Sequence, residues 1–204
     1  MAQSFHFGRL WGSFWLFLAL LLVQGCNGWF FFHWEATCYT SPPIGCFPTT
    51  YPFTNSGGIA PQDPRVIPTF FTSYRHGMPA QTFTASNARE MIGDRYDPTK
   101  KTVFVIHGYM EHSRKSWIYR IITELRYKED ANYITVDWGT GAINVNYYQS
   151  VANTRVVGAV VALVLQTLQS LGGDPATFHL IGYSLGAHIA GYAGSRLPDL
   201  GRIT

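Results

Sequence analysis

From Lys100 onward, short apolar runs alternate with longer stretches of helical spacing. Thr102-Val103-Phe104-Val105-Ile106 follows the polar pair Lys100-Lys101 and has no polar alternation, which predicts a strand covered on both faces. Ser116 to Tyr127 reads as a helix and Tyr133 to Asp137 as a second strand. A long helix is expected from about Tyr148 to Leu171, where Val157, Val160, Val161, Val164, Leu165 and Leu168 recur at helical spacing. That stripe reads as core, not as a membrane segment. Thr177 to Ile181 predicts a third buried strand, entered from the turn Gly172-Gly173-Asp174-Pro175. A helix follows from Leu185 to Leu197, stopped by Pro198. On it Gly186, Ala190 and Gly194 recur every four residues, so one face carries little bulk and can lie close to a sheet.

Upstream the pattern is weaker. Thr50 to Pro68 is rich in Pro, Gly, Ser and Asn and reads as loop or irregular arm. Ile67 to Tyr74 and Gln81 to Ala85 are expected as early antiparallel strands, the first limited by Pro68 to a sheet edge or a strand start. No repeat and no second domain is visible. The alternation of strands and helices predicts an α/β fold with an open, mostly parallel sheet and helices on both faces.

The turn between the last expected strand and helix is Gly182-Tyr183-Ser184-Leu185-Gly186. A serine between two glycines on a strand-to-helix turn is how hydrolases present a nucleophile. The turn forces the serine into a strained backbone conformation and brings neighbouring segments within contact, which a β-carbon at Gly182 or Gly186 would obstruct. The first amides of the helix face the space before the hydroxyl, so the Leu185 N–H is expected as one oxyanion donor. The second is expected from His107-Gly108-Tyr109, where Gly108 lets the chain turn beneath the site and the Tyr109 N–H donates.

Four segments, VFVIHGY (Val103 to Tyr109), YITVDWG (Tyr133 to Gly139), IGYSLGAHIAGYAG (Ile181 to Gly194) and GRIT (Gly201 to Thr204), together resemble the animal lipase family that includes pancreatic and lipoprotein lipases. CYTSPPIGCF (Cys38 to Phe47) also resembles the start of the mature pancreatic-type enzymes. The resemblance runs over roughly Cys38 to Thr204. It implies an α/β-hydrolase fold and a serine esterase, triacylglycerol lipase-like or phospholipase A1-like, acting on lipid esters at a lipid–water interface. The family triad runs Ser, Asp, His in chain order, with the aspartate in a Gly-Leu-Asp that follows Gly-Arg-Ile-Thr almost at once. The expectation is therefore a domain truncated before the triad acid, an N-terminal fragment nearly inert by itself because a serine without its base is a poor nucleophile. No cofactor or metal site is expected within the chain. By the same resemblance a calcium site, the lid, and determinants for a colipase-like partner or heparin belong to later sequence. The alternative is a lipase-fold lipid-binding or yolk-type storage protein, which has no reason to keep a hydroxyl at position 184.

Other polar residues receive structural readings. After Ser184 the acid is Asp199 and the histidine is His188. Asp199 is placed at the far edge of the sheet, and His188 is read as packed on the elbow helix. Asp137 precedes the serine and is taken as structural. His107 is expected to orient its loop, with its ring bonded to backbone. Gly139-Thr140-Gly141 follows a strand but lacks the third glycine of a dinucleotide site, where Asn144 stands.

Composition narrows the setting. The 204 residues can hold one domain, and 15 basic against 12 acidic residues leave a net charge of +3 without a basic cluster, which argues against a nucleic-acid binder. Met1 to Arg9 carries one arginine, Leu10 to Val23 is mostly apolar, and Gly25 and Gly28 follow, the pattern of a secretory signal over residues 1–28 ahead of a domain over 29–204. A signal anchor stays open because Leu10 to Trp34 could almost span a bilayer. Of the 3 cysteines, cleavage after Gly28 removes Cys26 and leaves a Cys38–Cys46 pair, as an oxidising compartment favours; cleavage after Gly25 leaves an unpaired thiol.

Overall fold

The computed structural model describes residues 36–40 and 42–204; the expected leader and the Trp29 to Trp34 stretch lie outside the described residues. The chain enters as an antiparallel hairpin, β1 (Ala36–Thr40) and β2 (Pro43–Pro48), in which Cys38 stands opposite Cys46. The two cysteines form the expected disulfide.

A six-stranded sheet follows in the order β4 (Gln81–Phe83), β3 (Phe70–Tyr74), β6 (Asn132–Asp137), β5 (Thr102–Ile106), β7 (Phe178–Gly182), β8 (Arg202–Ile203). β6, β5, β7 and β8 run parallel, whereas β3 is antiparallel to both of its neighbours. β3 is thus interior, not an edge. Pro68 acts as the strand-start limit: pairing begins at Phe70, beyond the residue that lacks an N–H.

The helices are α1 (Ala88–Ile92), α2 (Ser116–Lys128), α3 (Gly139–Ala142), α4 (Tyr147–Ser170) and α5 (Leu185–Gly194). Along β5 successive side chains point to opposite faces, and both faces are covered. Val103 and Val105 meet Ile118 and Ile122 of α2 in a smaller cluster. Phe104 and Ile106 join Val136, Leu180 and the buried stripe of α4 in the main core. α4 is long and apolar enough to cross a membrane by length and composition, yet 78% of its most apolar window is buried inside the fold, the signature of a core helix. The fold is that of an α/β hydrolase.

Two features position the functional edge. The chain leaves β5 through α2 to β6 on one side, then returns through α4 to β7 on the other, so strand order reverses at β5. In open α/β sheets the crevice beyond the carboxyl ends of strands at such a point is where ligands bind. The second feature is close packing of α5. A β-carbon on Gly186 would stand 2.3 Å from the Ile106 carbonyl oxygen, and one on Gly158 of α4 2.6 Å from the Tyr192 β-carbon. Small residues therefore set the depth of α5 against both the sheet and α4.

Some elements differ from expectation. α5 ends at Gly194 because the Arg196 and Leu197 amides tighten to carbonyls three residues back, Ala193 and Gly194, before Pro198. The hairpin, α1, α3 and the short β8 carry no sequence periodicity long enough to announce them. The hairpin is held from outside: the Arg155 guanidinium donates to the Pro48 carbonyl and lies over the Phe47 and Phe53 rings, and Arg196 donates to the Ile44 carbonyl.

Candidate active site

β7 delivers the chain to the carboxyl edge of the sheet and α5 carries it back, with Ser184 at the bend. Its backbone sits at φ 53°, ψ −119°, a region that a residue with a β-carbon occupies only under strain. Crowding enforces this turn. A β-carbon on Gly182 would stand 2.4 Å from the Gly186 carbonyl oxygen and 2.5 Å from the Ala187 backbone, so only glycine lets the two arms of the bend close on each other. The Tyr183 amide donates to the Ile106 carbonyl, fastening the elbow to β5. Ser184 is left exposed, beyond the end of the sheet.

The loop after β5 meets it there. A β-carbon on Gly108 would stand 2.9 Å from that of Ser184, so only glycine permits the approach. The Gly108 amide is taken, since it donates to Glu111 Oε2 at 3.0 Å. The Tyr109 and Leu185 amides have no protein acceptor among the described residues. The second of these is the first amide of α5, where the helix dipole favours negative charge. Both amides that the sequence singled out are thus uncommitted to the fold among the described residues.

Glu111 was not legible in the sequence. Its other oxygen accepts from Trp117 Nε1 at 3.0 Å, and the Trp117 ring meets Tyr183 edge-on at 5.4 Å between centroids. An acid beside a turn gives no signal of such a contact; only folding brings the indole round to it.

The remaining polar groups at this edge belong to the scaffold. His107 is fully buried and stacked on Trp138 at 5.5 Å. Its Nε2 accepts from the Trp138 amide at 3.1 Å, which leaves the proton on Nδ1 to donate to the Gly108 carbonyl at 3.0 Å. A ring with both nitrogens so committed orients the loop and cannot serve as a base. Asp137 accepts from the Ser113 hydroxyl at 2.7 Å and the Gly139 amide at 3.0 Å. Burial pushes its carboxyl up, but the hydroxyl of Ser113 and the amides of Ser113 and Gly139 outweigh it and hold the pKa well below the usual carboxylate range. Asp199 lies in the turn after α5, at the opposite edge of the sheet; His188, expected to be packed, is instead exposed, because α5 turns Gly186, Ile189, Ala190 and Ala193 to the core and leaves position 188 outside that face.

The nucleophile bend and the loop after β5 both expose large apolar side chains. Tyr183 is 58% exposed and Met110 59%. On the segment after α3, Ile143, Val145, Tyr147 and Tyr148 are also exposed. Tyr109 ties the two segments together, donating to the Asn144 carbonyl at 2.7 Å and meeting the Tyr147 ring edge-on at 5.0 Å. Grooves of about 310 and 440 Å³ lie elsewhere, along α4 beside Pro42 and Ser86, and do not include the serine.

Comparison with known proteins gives a consistent answer. The sequence profile of the Lipase family matches residues 45–204. Inactive pancreatic lipase-related protein 1 of Canis lupus familiaris is 37% identical over 177 residues, covering 83% of this chain and 37% of its own length. Pancreatic lipase-related protein 2 of Myocastor coypus is 38% identical over 193 residues, 91% of this chain and 39% of its own length. Pancreatic triacylglycerol lipase of Oryctolagus cuniculus is 37% identical over 177 residues, 82% of this chain and 37% of its own length. The chain thus spans less than half the length of these relatives.

Proposed function

From the premise that the chain belongs to the lipase family, we propose that it carries the nucleophile and oxyanion hole of a secreted serine carboxylic ester hydrolase that cleaves acylglycerol or phospholipid esters. The observation that supports this most is the exposed, strained Ser184, together with two amides that bond to nothing else in the described fold. On this reading Ser184 Oγ attacks the ester carbonyl carbon, and the carbonyl oxygen becomes an oxyanion held by the Tyr109 and Leu185 N–H groups. The alcohol leaves, and water then releases the fatty acid from the acyl-enzyme.

The attack needs a base to take the hydroxyl proton, and among the described residues no histidine bonds to Ser184. The acid and histidine of the triad, together with any calcium site, fall on this reading in the part of the relatives that this chain does not span. The exposed Met110, Val145, Tyr147 and Tyr183 suit a substrate presented at a lipid–water interface, since single-chain monomers need no such rim.

The test is ester hydrolysis by the intact gene product and its Ser184→Ala variant, on short- and long-chain esters. Loss of at least about a thousandfold in kcat is expected. Equal rates overturn the assignment. A second reading, a lipase-fold protein that binds lipid without cleaving it, draws on the relatives whose printed name is inactive. It predicts lipid retention by the wild-type protein with no turnover above that of Ser184→Ala.

A further inference from the structure

We propose that Glu111 is a positioning residue for the oxyanion loop, and that it couples this loop to the nucleophile bend through Trp117. This rests on the esterase reading above and extends it to a residue that touches neither the ester nor the oxyanion.

Consecutive amides compete for an oxyanion. Gly108 and Tyr109 are neighbours in the chain, and which of their N–H groups faces the substrate depends on the peptide orientations in this loop. Glu111 Oε2 takes the Gly108 N–H at 3.0 Å. With that donor drawn into the loop, the next one, on Tyr109, is left for the developing charge. A carboxylate acceptor makes this a charge-assisted bond, about twice as strong as one between neutral groups.

The second oxygen carries the coupling. Glu111 Oε1 accepts from Trp117 Nε1 at 3.0 Å, which fixes the indole at the start of α2. That ring contacts Tyr183, the residue before the nucleophile, at 5.4 Å between centroids. A second contact joins the same two segments, because the Tyr183 backbone donates to Ile106 immediately before the loop. One side chain therefore sets the loop that bears one oxyanion donor and, through an aromatic contact, the bend that bears the nucleophile. A displacement of about 1 Å at such a site costs about a hundredfold in rate.

The distinguishing substitution is Glu111→Gln. It keeps the length, but an amide offers one acceptor oxygen and turns its NH₂ toward the other donor. In the intact gene product, kcat on a p-nitrophenyl ester is expected to fall about ten- to a hundredfold, with KM changed less than about twofold and the melting temperature within a few degrees of wild type. Independently of turnover, the Trp117 Nε1–H resonance in a ¹⁵N-labelled sample, assigned with Trp117→Phe, is expected to move upfield as the charged acceptor is lost. Glu111→Asp, which keeps the charge but shortens the reach, is expected to recover less than half of the loss. Wild-type kcat in Glu111→Gln overturns the proposal whatever the indole does. A fall in kcat with an unmoved indole overturns the Trp117 coupling. If the wild-type protein hydrolyses no ester, the esterase reading falls and the catalytic sense of Glu111 falls with it, while a shifted indole still records the contact itself.

Discussion

At the residue scale, chemistry and stability pull against each other at Ser184. Its φ of 53° and ψ of −119° suit glycine, and a non-glycine residue held there costs on the order of 1–3 kcal/mol. Ser184→Gly is therefore expected to stabilise the fold by about 1 kcal/mol in urea denaturation while removing the hydroxyl, a trade between stability and activity. Asp137 makes the opposite kind of contribution. Its folded pKa is depressed, so its stabilising effect is fully present above the unfolded value of about 4 and is lost progressively as pH falls below it. Asp137→Asn should flatten the fall in stability between about pH 4 and pH 2, measured by urea midpoints across that window. An unchanged acid slope would mean that the Ser113 and Gly139 contacts are not what lowers the pKa.

At the element scale, α5 separates two uses of glycine on one helix. A β-carbon at Gly186 meets the Ile106 and His107 carbonyl oxygens at 2.3 and 2.7 Å, whereas one at Gly191 meets nothing within 4 Å. Backbone cannot swing aside as a flexible side chain can. Gly186→Ala is expected to destabilise by about 3 kcal/mol or to prevent folding, since it adds bulk to a packed site. Gly191→Ala is expected to stabilise by about 0.5–1 kcal/mol, the ordinary helix preference of alanine. Thermal unfolding of the two variants side by side checks the pair, and similar effects would deny that α5 lies so close to the sheet. The hairpin of β1 and β2 depends on a different device. The disulfide joins residues only 8 apart, so its reduction should cost about 2–3 kcal/mol by chain entropy, with Arg155 and Arg196 still holding β2 through its carbonyls.

At the scale of the molecule, the sheet brings together parts that are far apart in sequence. The loop after β5 and the bend after β7 are adjacent because those strands pair in register, Thr102 with Phe178 through Ile106 with Gly182. If the triad base belongs to the part of the relatives that this chain does not span, residues 1–204 expressed alone should hydrolyse a p-nitrophenyl ester no faster than their Ser184→Ala variant. Ser184-dependent turnover by the isolated chain would relocate the base among the residues described here.

Much of this was legible in order of sequence. The buried strands, α2, α4 and the serine between its glycines each rest on a local signal: an apolar run, a helical period, or a backbone turn that only glycine permits. The Cys38–Cys46 pair was legible on the condition that cleavage after Gly28 removes Cys26 from an odd set of three. The β1–β2 hairpin, the interior place of β3, the commitment of both His107 nitrogens and the two contacts of Glu111 rest on groups tens of residues apart or on loop conformation, and no period encodes them. Local sequence determined which segments could be strand, helix or nucleophile turn, because propensity and side-chain period act within a few residues. Tertiary structure alone decided which amides were used up and which were left without a protein acceptor, because that depends on where packing brings a carboxylate, an indole and a carbonyl into reach.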